Sequence, residues 1–193
     1  MPTATPSKRD QLVQTALVLF YEKGIHAVGI NEILKTAGIA KKTLYTHFAS
    51  KDDLILATIE RRDAIFCQWF ADALAGASSA EDGVQRLFHA LDCWFHNTVP
   101  MLLPFRGCFF INASAEFSHP AHPVAKACTA HKNKVRQIIA TQLGITTPAV
   151  LDLICMLKEG AIIAAHMQQD TAAAKKCIPI ITNYLQACGL SKP

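Results

Sequence analysis

The stretch "AGIAKKTLYTHFASKDDL", residues 37–54, decides how this chain is read. Ala37, Gly38 and Ile39 form a small-Gly-apolar turn. Leu44 and Phe48, four apart, then place one apolar face on a short helix. At about 100° per residue, Lys42, Thr43, Tyr45 and Thr46 fall on the opposite side, with His47 at its edge. Ser50 and Asp53 make a capping box that opens a further helix at once. The outward face offers a cation, hydroxyls and an aromatic ring. Lysine donates to a guanine edge or a phosphate, hydroxyls serve phosphates or bases, and a ring packs on a sugar or a thymine methyl. A solvated amphipathic helix has the same local pattern, so the surrounding sequence has to decide between them.

Upstream, Ile30, Ile33, Leu34 and Ala37 make a short apolar stripe ending at Gly38, and with the next helix this predicts a helix-turn-helix. Before it, Ser7 and Asp10 form a capping box for the stripe Leu12, Val13, Ala16, Leu17 and Phe20, which Gly24 ends. Downstream, the Ser50 helix carries Leu54, Ile55, Thr58, Arg62, Ile65, Phe66, Trp69, Phe70 and Ala73 until "AGASSAEDG" breaks it. Val84, Leu87, Phe88, Leu91, Trp94 and Phe95 mark the next helix, and "RGCFFINASAEF" reads as another. Pro123 and Thr147-Pro148 suit first helical turns, Asp170 is expected to cap the last helix, and Pro179 is expected to kink it. Strand signals are scarce, and no repeat or low-complexity tract is visible. The expectation is an all-α chain of eight or nine helices. An N-terminal three-helix head covers residues 1–51 and a larger helical body covers 52–193.

The composition agrees. A length of 193 residues suits one domain or a small head on a larger body, and 51% hydrophobic residues supply a core. The net charge of +4 is mild, but Lys8, Arg9, Lys41, Lys42, Lys51, Arg61 and Arg62 gather in the first third, where a polyanion finds them. No apolar run has membrane-span length and the N-terminus lacks the apolar core of a signal peptide, so a cytoplasmic protein is expected. The seven cysteines are odd in number and lack a C-x-x-C pair, which reads as reduced thiols acting as small hydrophobes. There is no G-x-S-x-G, no G-x-x-x-x-G-K-[ST] and no H-E-x-x-H, so an enzyme is not expected.

The string "TALVLFYEKGIHAVGINEILKTAGIAKKTLYTHFASKDDL" resembles the tetracycline-repressor-like (TetR) family of bacterial transcription regulators. The resemblance rests on Phe20, Gly24, Glu32, Ile33, Ala37, Gly38, Ile39, Lys41, Thr43, Leu44, Tyr45, His47, Phe48, Ser50, Lys51 and Leu54. "RGCFFINASAEFSHPAHPV" resembles a segment of one branch of that family. Gly29 stands where many members have Thr or Ser, and Ala40 where Ser is common. By this resemblance Lys41, Lys42, Thr43, Tyr45, Thr46, His47 and Lys51 are expected at DNA. Tyr45, His47 and Lys51 are expected mainly on the backbone, with Lys42, Thr43 and Thr46 nearest the bases.

The expected function is a repressor released from a double-stranded DNA operator by an unknown small-molecule effector, with no cofactor. One recognition helix reads few base pairs, so a homodimer is expected. The resemblance implies a four-helix bundle from the last two long helices of each subunit. Leu153, Leu157, Gly160, Ala161, Ala164, Ile181 and Leu185 are its interface residues, unless they fill the subunit's own core. Phe66, Trp69, Phe70, Trp94, Phe109, Asn112, Glu116, His131 and His166 are the expected effector pocket, against the alternative of ordinary core packing. A metal or thiol sensor with the same head stays open. His89, Cys93 and His96 share one helix face, and Glu116, His119 and His122 are further ligand types. Cys108, which follows Arg106 and Gly107, is the leading thiol. A helical module whose basic face meets an acidic partner is the remaining alternative.

Overall fold

The computed structural model describes residues 6–189; the ends of both expected domains, residues 1–5 and 190–193, lie outside them. Every regular element among the described residues is helical. In order they are α1 (Lys8–Lys23), α2 (Ile30–Ala37), α3 (Lys41–His47), α4 (Lys51–Leu74), α5 (Ala80–Phe95), a 3₁₀ turn (Pro100–Leu102), α6 (Phe109–Glu116), α7 (Pro123–Leu143), α8 (Pro148–Met167) and α9 (Ala173–Ala187). This is the all-α class expected. No helix among the described residues is long and apolar enough to cross a membrane.

The chain divides into two compact units. The first runs to Ala64 and also takes in Phe109–Ala130, so it is larger than the head expected to end at residue 51. Tyr21 of α1 explains part of the difference. The Arg62 guanidinium of α4 lies 4.9 Å over its ring, and Phe109 of α6 meets it edge-on at 6.1 Å. Sequence reading treats α6 as part of the body because nothing local in α6 announces a partner almost ninety residues earlier.

The local signals of the head are realised in detail. Ser7 Oγ accepts from the Asp10 N–H at 3.1 Å and caps α1. Leu12, Val13, Ala16, Leu17 and Phe20 are all buried. At Gly38 the backbone turns left-handed (φ 63°, ψ 34°). The Ile39 N–H reaches the Leu34 carbonyl at 3.1 Å and the Gly38 N–H that of Lys35 at 3.4 Å. This paired closure ends α2 with its orphan carbonyls satisfied, and glycine takes the conformation without a Cβ clash. Ser50 and Asp53 exchange bonds reciprocally, each backbone N–H meeting the other side chain at 3.0–3.1 Å. By contrast, Gly29 and Ala40, the N-caps of α2 and α3, make no side-chain capping bond.

The second unit holds Ile65–Cys108 and the chain from His131 onward. Ser79 caps α5 by accepting from the Asp82 N–H at 3.1 Å, and Val84, Leu87, Phe88, Leu91, Trp94 and Phe95 are buried as the stripe predicts. α9 packs on α5 and α8 through Ala174, Cys177, Ile181 and Leu185. Asp170 does not cap α9: the helix begins at Ala173, and the Asp170 carboxylate is taken by Lys176 at 2.6 Å. α9 is assigned as one helix through Pro179. The cysteines form no disulfide; Cys67, Cys108, Cys128 and Cys177 are buried and Cys188 is exposed.

A charged cluster lies inside this unit. Glu159 pairs with Lys132 at 2.7 Å and with Lys158, which is only 3% exposed. Burial pushes the Glu159 carboxyl up, but Lys158 and Lys132 outweigh burial and hold it below the ordinary glutamate range. A folded-state value below the unfolded one contributes stability above that range, lost as pH falls through the folded value. Glu159→Gln is therefore expected to destabilise the chain by on the order of 3 kcal/mol at neutral pH, because two lysines are left uncompensated. The gap to wild type should narrow on acidification, as read by urea melts from pH 7 to 3. Ala40→Ser is expected to supply the missing cap of α3 and to stabilise by about 1 kcal/mol. That is ~2–4 °C in a thermal melt.

Candidate nucleic-acid interface

α3 is held by two buried side chains. Leu44 is fully buried and Phe48 is 4% exposed. Lys41, Lys42, Tyr45, Thr46 and His47 are thereby turned outward and exposed, and Thr43 is half-buried. Tyr45 keeps 48% of its surface in solvent, which is unusual for a large ring and leaves its face and hydroxyl available. The Thr46 hydroxyl donates to the Thr43 carbonyl at 2.6 Å, so in this rotamer it meets a partner as an acceptor. Lys51 differs from the rest of the expected set. It is half-buried, its ammonium donates to the Ile25 carbonyl at 2.9 Å and lies 5.9 Å from the Phe20 ring centre. Two of its three N–H groups remain for another acceptor. Sequence reasoning left Arg9 out of the site. Its guanidinium lies 5.3 Å over the Phe48 ring, just past the end of α3. The basic pair Lys8-Arg9 was visible in the sequence, but its distance from α3 was not.

The residues of the expected effector set divide between the two units. Phe109, Asn112 and Glu116 fall in the first unit and the other six in the second. In the second unit, Phe66 lies 5.5 Å from Trp94, 5.3 Å from His131 and 5.7 Å from Phe70, and Trp94 lies 5.0 Å from Phe105. These rings pack on one another as a largely buried aromatic cluster. His166 meets Phe105 edge-on at 6.2 Å, and its ring carbons lie 2.9 Å from where a Cβ on Gly107 would sit. An open cavity of about 430 Å³ in this unit is lined by Trp69, Ala73, Arg86, His89, Ala90, Cys93, Thr98 and Val99. Of the expected set, only Trp69 lines it.

The metal and thiol alternatives separate in the same way. Cys93 Sγ lies 3.6 Å from His89 Nε2. His96 turns away to Asp92, its Nδ1 2.8 Å from the carbonyl oxygen and 3.4 Å from the carboxylate. Glu116 binds the Ile25 and His26 backbone, and His119 and His122 accept from the Ala121 and Val124 N–H groups. Cys108 has a cation beside it: Lys132 Nζ lies 3.4 Å from its sulfur. Burial works against the Lys132 ammonium, but Cys108 and Glu159 outweigh it and hold its pKa above the ordinary value.

The residues expected at the subunit interface differ in burial. Ala161, Ile181 and Leu185 are buried within the subunit. Leu153, Leu157 and Ala164 are half-buried and Gly160 is exposed. The large apolar side chains facing solvent are Met156, Ile163 and Met167 on α8 and Ile180 and Tyr184 on α9.

Comparison with known proteins agrees with this geometry. Residues 12–58 match the family model described as bacterial regulatory proteins, tetR family. A TetR-family transcriptional regulator from Streptomyces coelicolor, SCO4454, has a solved structure that aligns with a TM-score of 0.80. The two are 31% identical over 96% of each chain. The transcriptional activator FasR of Mycolicibacterium smegmatis is 36% identical over 88 residues, 46% of this chain. The transcriptional repressor NemR of Escherichia coli is 29% identical over 111 residues, 56% of this chain. These matches span only 39% of FasR and 53% of NemR. A structure of NemR in its reduced form has a TM-score of 0.73 at 22% identity, which speaks to the fold alone. The buried hold on α3, the all-helical body and the full-length match together establish that the chain belongs to the TetR family of transcriptional regulators.

Proposed function

We propose that this chain is a homodimeric repressor whose α3 enters the major groove of an operator, and which a small molecule releases. The observation that carries the reading is the exposed face Lys41, Lys42, Tyr45, Thr46 and His47, held outward by the buried Leu44 and Phe48. Lys42, Thr43 and Thr46 read bases. Lys41, Tyr45, His47 and Lys51 meet the phosphate backbone, with Arg9, over the Phe48 ring at the end of α3, a further cation. A two-fold pair of such helices reads successive major grooves. The apolar stripe Met156, Ile163 and Met167 on α8, with Ile180 and Tyr184 on α9, supports a second copy as the partner. The cavity beside Trp69, Arg86 and Cys93 is the effector site this reading favours. A ligand there needs only ~1–3 kcal/mol of coupling to weaken operator binding about 5–150-fold.

One observation favours a second reading, release through a thiol. The Lys132 ammonium 3.4 Å from Cys108 Sγ is placed to stabilise negative charge that develops on the sulfur as it reacts. NemR, whose structure is described as a reduced form, is the relative that makes this worth testing.

Selection of bound duplexes from a random pool, followed by release with a metabolite panel and with hydrogen peroxide, tests both readings. Operator binding should weaken steeply with salt. Release by peroxide that Cys108→Ser abolishes would favour the thiol reading, and release by a metabolite with that variant unaffected would favour the cavity. Lys42→Ala with Thr46→Ala should relax sequence choice in the same selection while the melting temperature holds. Tyr45→Phe should weaken all duplexes alike, by about fivefold, as expected when one phosphate hydrogen bond is removed. Ile163→Arg should shift the chain from dimer to monomer in sedimentation, with operator affinity falling at least tenfold as the heads separate.

A further inference from the structure

We propose that Glu116, the last residue of α6, is a positioning residue for DNA binding: its carboxylate aims the head by gripping the linker before the helix-turn-helix. The proposal rests on the DNA-binding reading above and names the point at which α6 acts on it. The Glu116 carboxylate accepts the Ile25 N–H at 2.8 Å and the His26 N–H at 2.6 Å. Two N–H groups on one ionised carboxylate make charge-assisted bonds, stronger and more directional than neutral ones. The His26 ring adds Nδ1 at 3.4 Å from the same carboxylate. It also packs on Phe117 at 4.6 Å, and Phe117 stacks on His122 at 4.7 Å, which fixes the chain just after the carboxylate.

The linker is shaped for this grip. Gly24 has φ +90°, a backbone that side chains rarely allow, and a Cβ there would lie 3.3 Å from Glu116 Oε1. Ile25 itself is 1% exposed and anchors the linker in the core of the head. Its carbonyl accepts from Lys51 Nζ at 2.9 Å. A single residue is therefore held at both polar ends, its N–H by α6 and its carbonyl by a lysine of the DNA face. Displacing α6 withdraws the carboxylate, frees the linker and unseats the Lys51 ammonium. α6 and the first turns of α7 belong to the head's compact unit, yet the chain enters them from Cys108 and leaves them at His131, both in the other unit.

The test measures affinity of the full-length protein for a selected operator duplex across a salt series, for wild type, Glu116→Gln, Glu116→Asp, Lys51→Met and the Glu116→Gln, Lys51→Met pair. Glu116→Gln keeps the shape but leaves an amide opposite one N–H; Glu116→Asp keeps the charge but is too short to hold both. Each is expected to weaken binding about tenfold, with the chain still folded and its melting temperature lowered by ~3–8 °C. Each should also flatten the salt slope by about 0.9 per head, the change expected when one fewer phosphate is neutralised. The double variant should bind no more weakly than Lys51→Met alone, because both changes remove the same interaction with DNA. Unchanged affinity and slope in both Glu116 variants would overturn the proposal. So would effects that add in full to that of Lys51→Met, or failure to fold in both variants, because the carboxylate would then support the fold and not aim the head. A wild-type protein that binds no duplex with a steep salt slope would instead refute the DNA-binding reading on which the proposal stands.

Discussion

The burial of two side chains, Leu44 and Phe48, is the constraint from which the outward face of α3 follows. A helix of seven residues is too short to persist alone, since the first turn fixes several dihedrals for one hydrogen bond. α3 exists because those two side chains are removed from water against the head, each contributing about 1.5–3 kcal/mol of burial. Once they are seated, helical geometry leaves no choice about the remaining positions. Lys41, Lys42, Tyr45, Thr46 and His47 must point into solvent. The Gly38 turn sets where α3 begins, and the reciprocal Ser50–Asp53 cap sets where the next helix takes over.

The same head is braced from a distant part of the chain. Tyr21 receives Arg62 on its face and Phe109 on its edge, and the Ile25 peptide is held by Glu116 and Lys51. These interactions are why the compact unit around the helix-turn-helix is larger than three helices. They also divide the polar groups of the chain by role. Carboxylates and lysines in these networks fix geometry, while the cations on α3 stay exposed to meet a partner.

Much of this was legible in the sequence, and the boundary of legibility has a physical cause. Capping boxes, apolar stripes and the glycine turn are interactions among residues within four or five positions, so the helices and the outward face of α3 could be read directly. The grip of Glu116 on the Ile25 and His26 amides spans some ninety residues and leaves no periodic trace. The aromatic residues of the body pose the opposite problem. Their spacing is the same whether they line a cavity or fill a core, and here Phe66, Phe70 and Trp94 are buried against one another. The small residues of α8 show a related ambiguity: their spacing does not say which of them packs within the subunit, as Ala161 does, and which stays accessible, as Gly160 does. Asp170 had the chemistry of a cap, yet Lys176 holds its carboxylate.

The missing side-chain caps at Gly29 and Ala40 make α2 and α3 unusually dependent on what packs behind them. Their stability is lodged almost wholly on the inner side. The outer residues contribute little to whether the head folds, so they are free to vary without endangering the architecture. Replacements on the outward side of α3 should therefore be nearly silent for folding, whereas loss of the inner leucine or phenylalanine should not be.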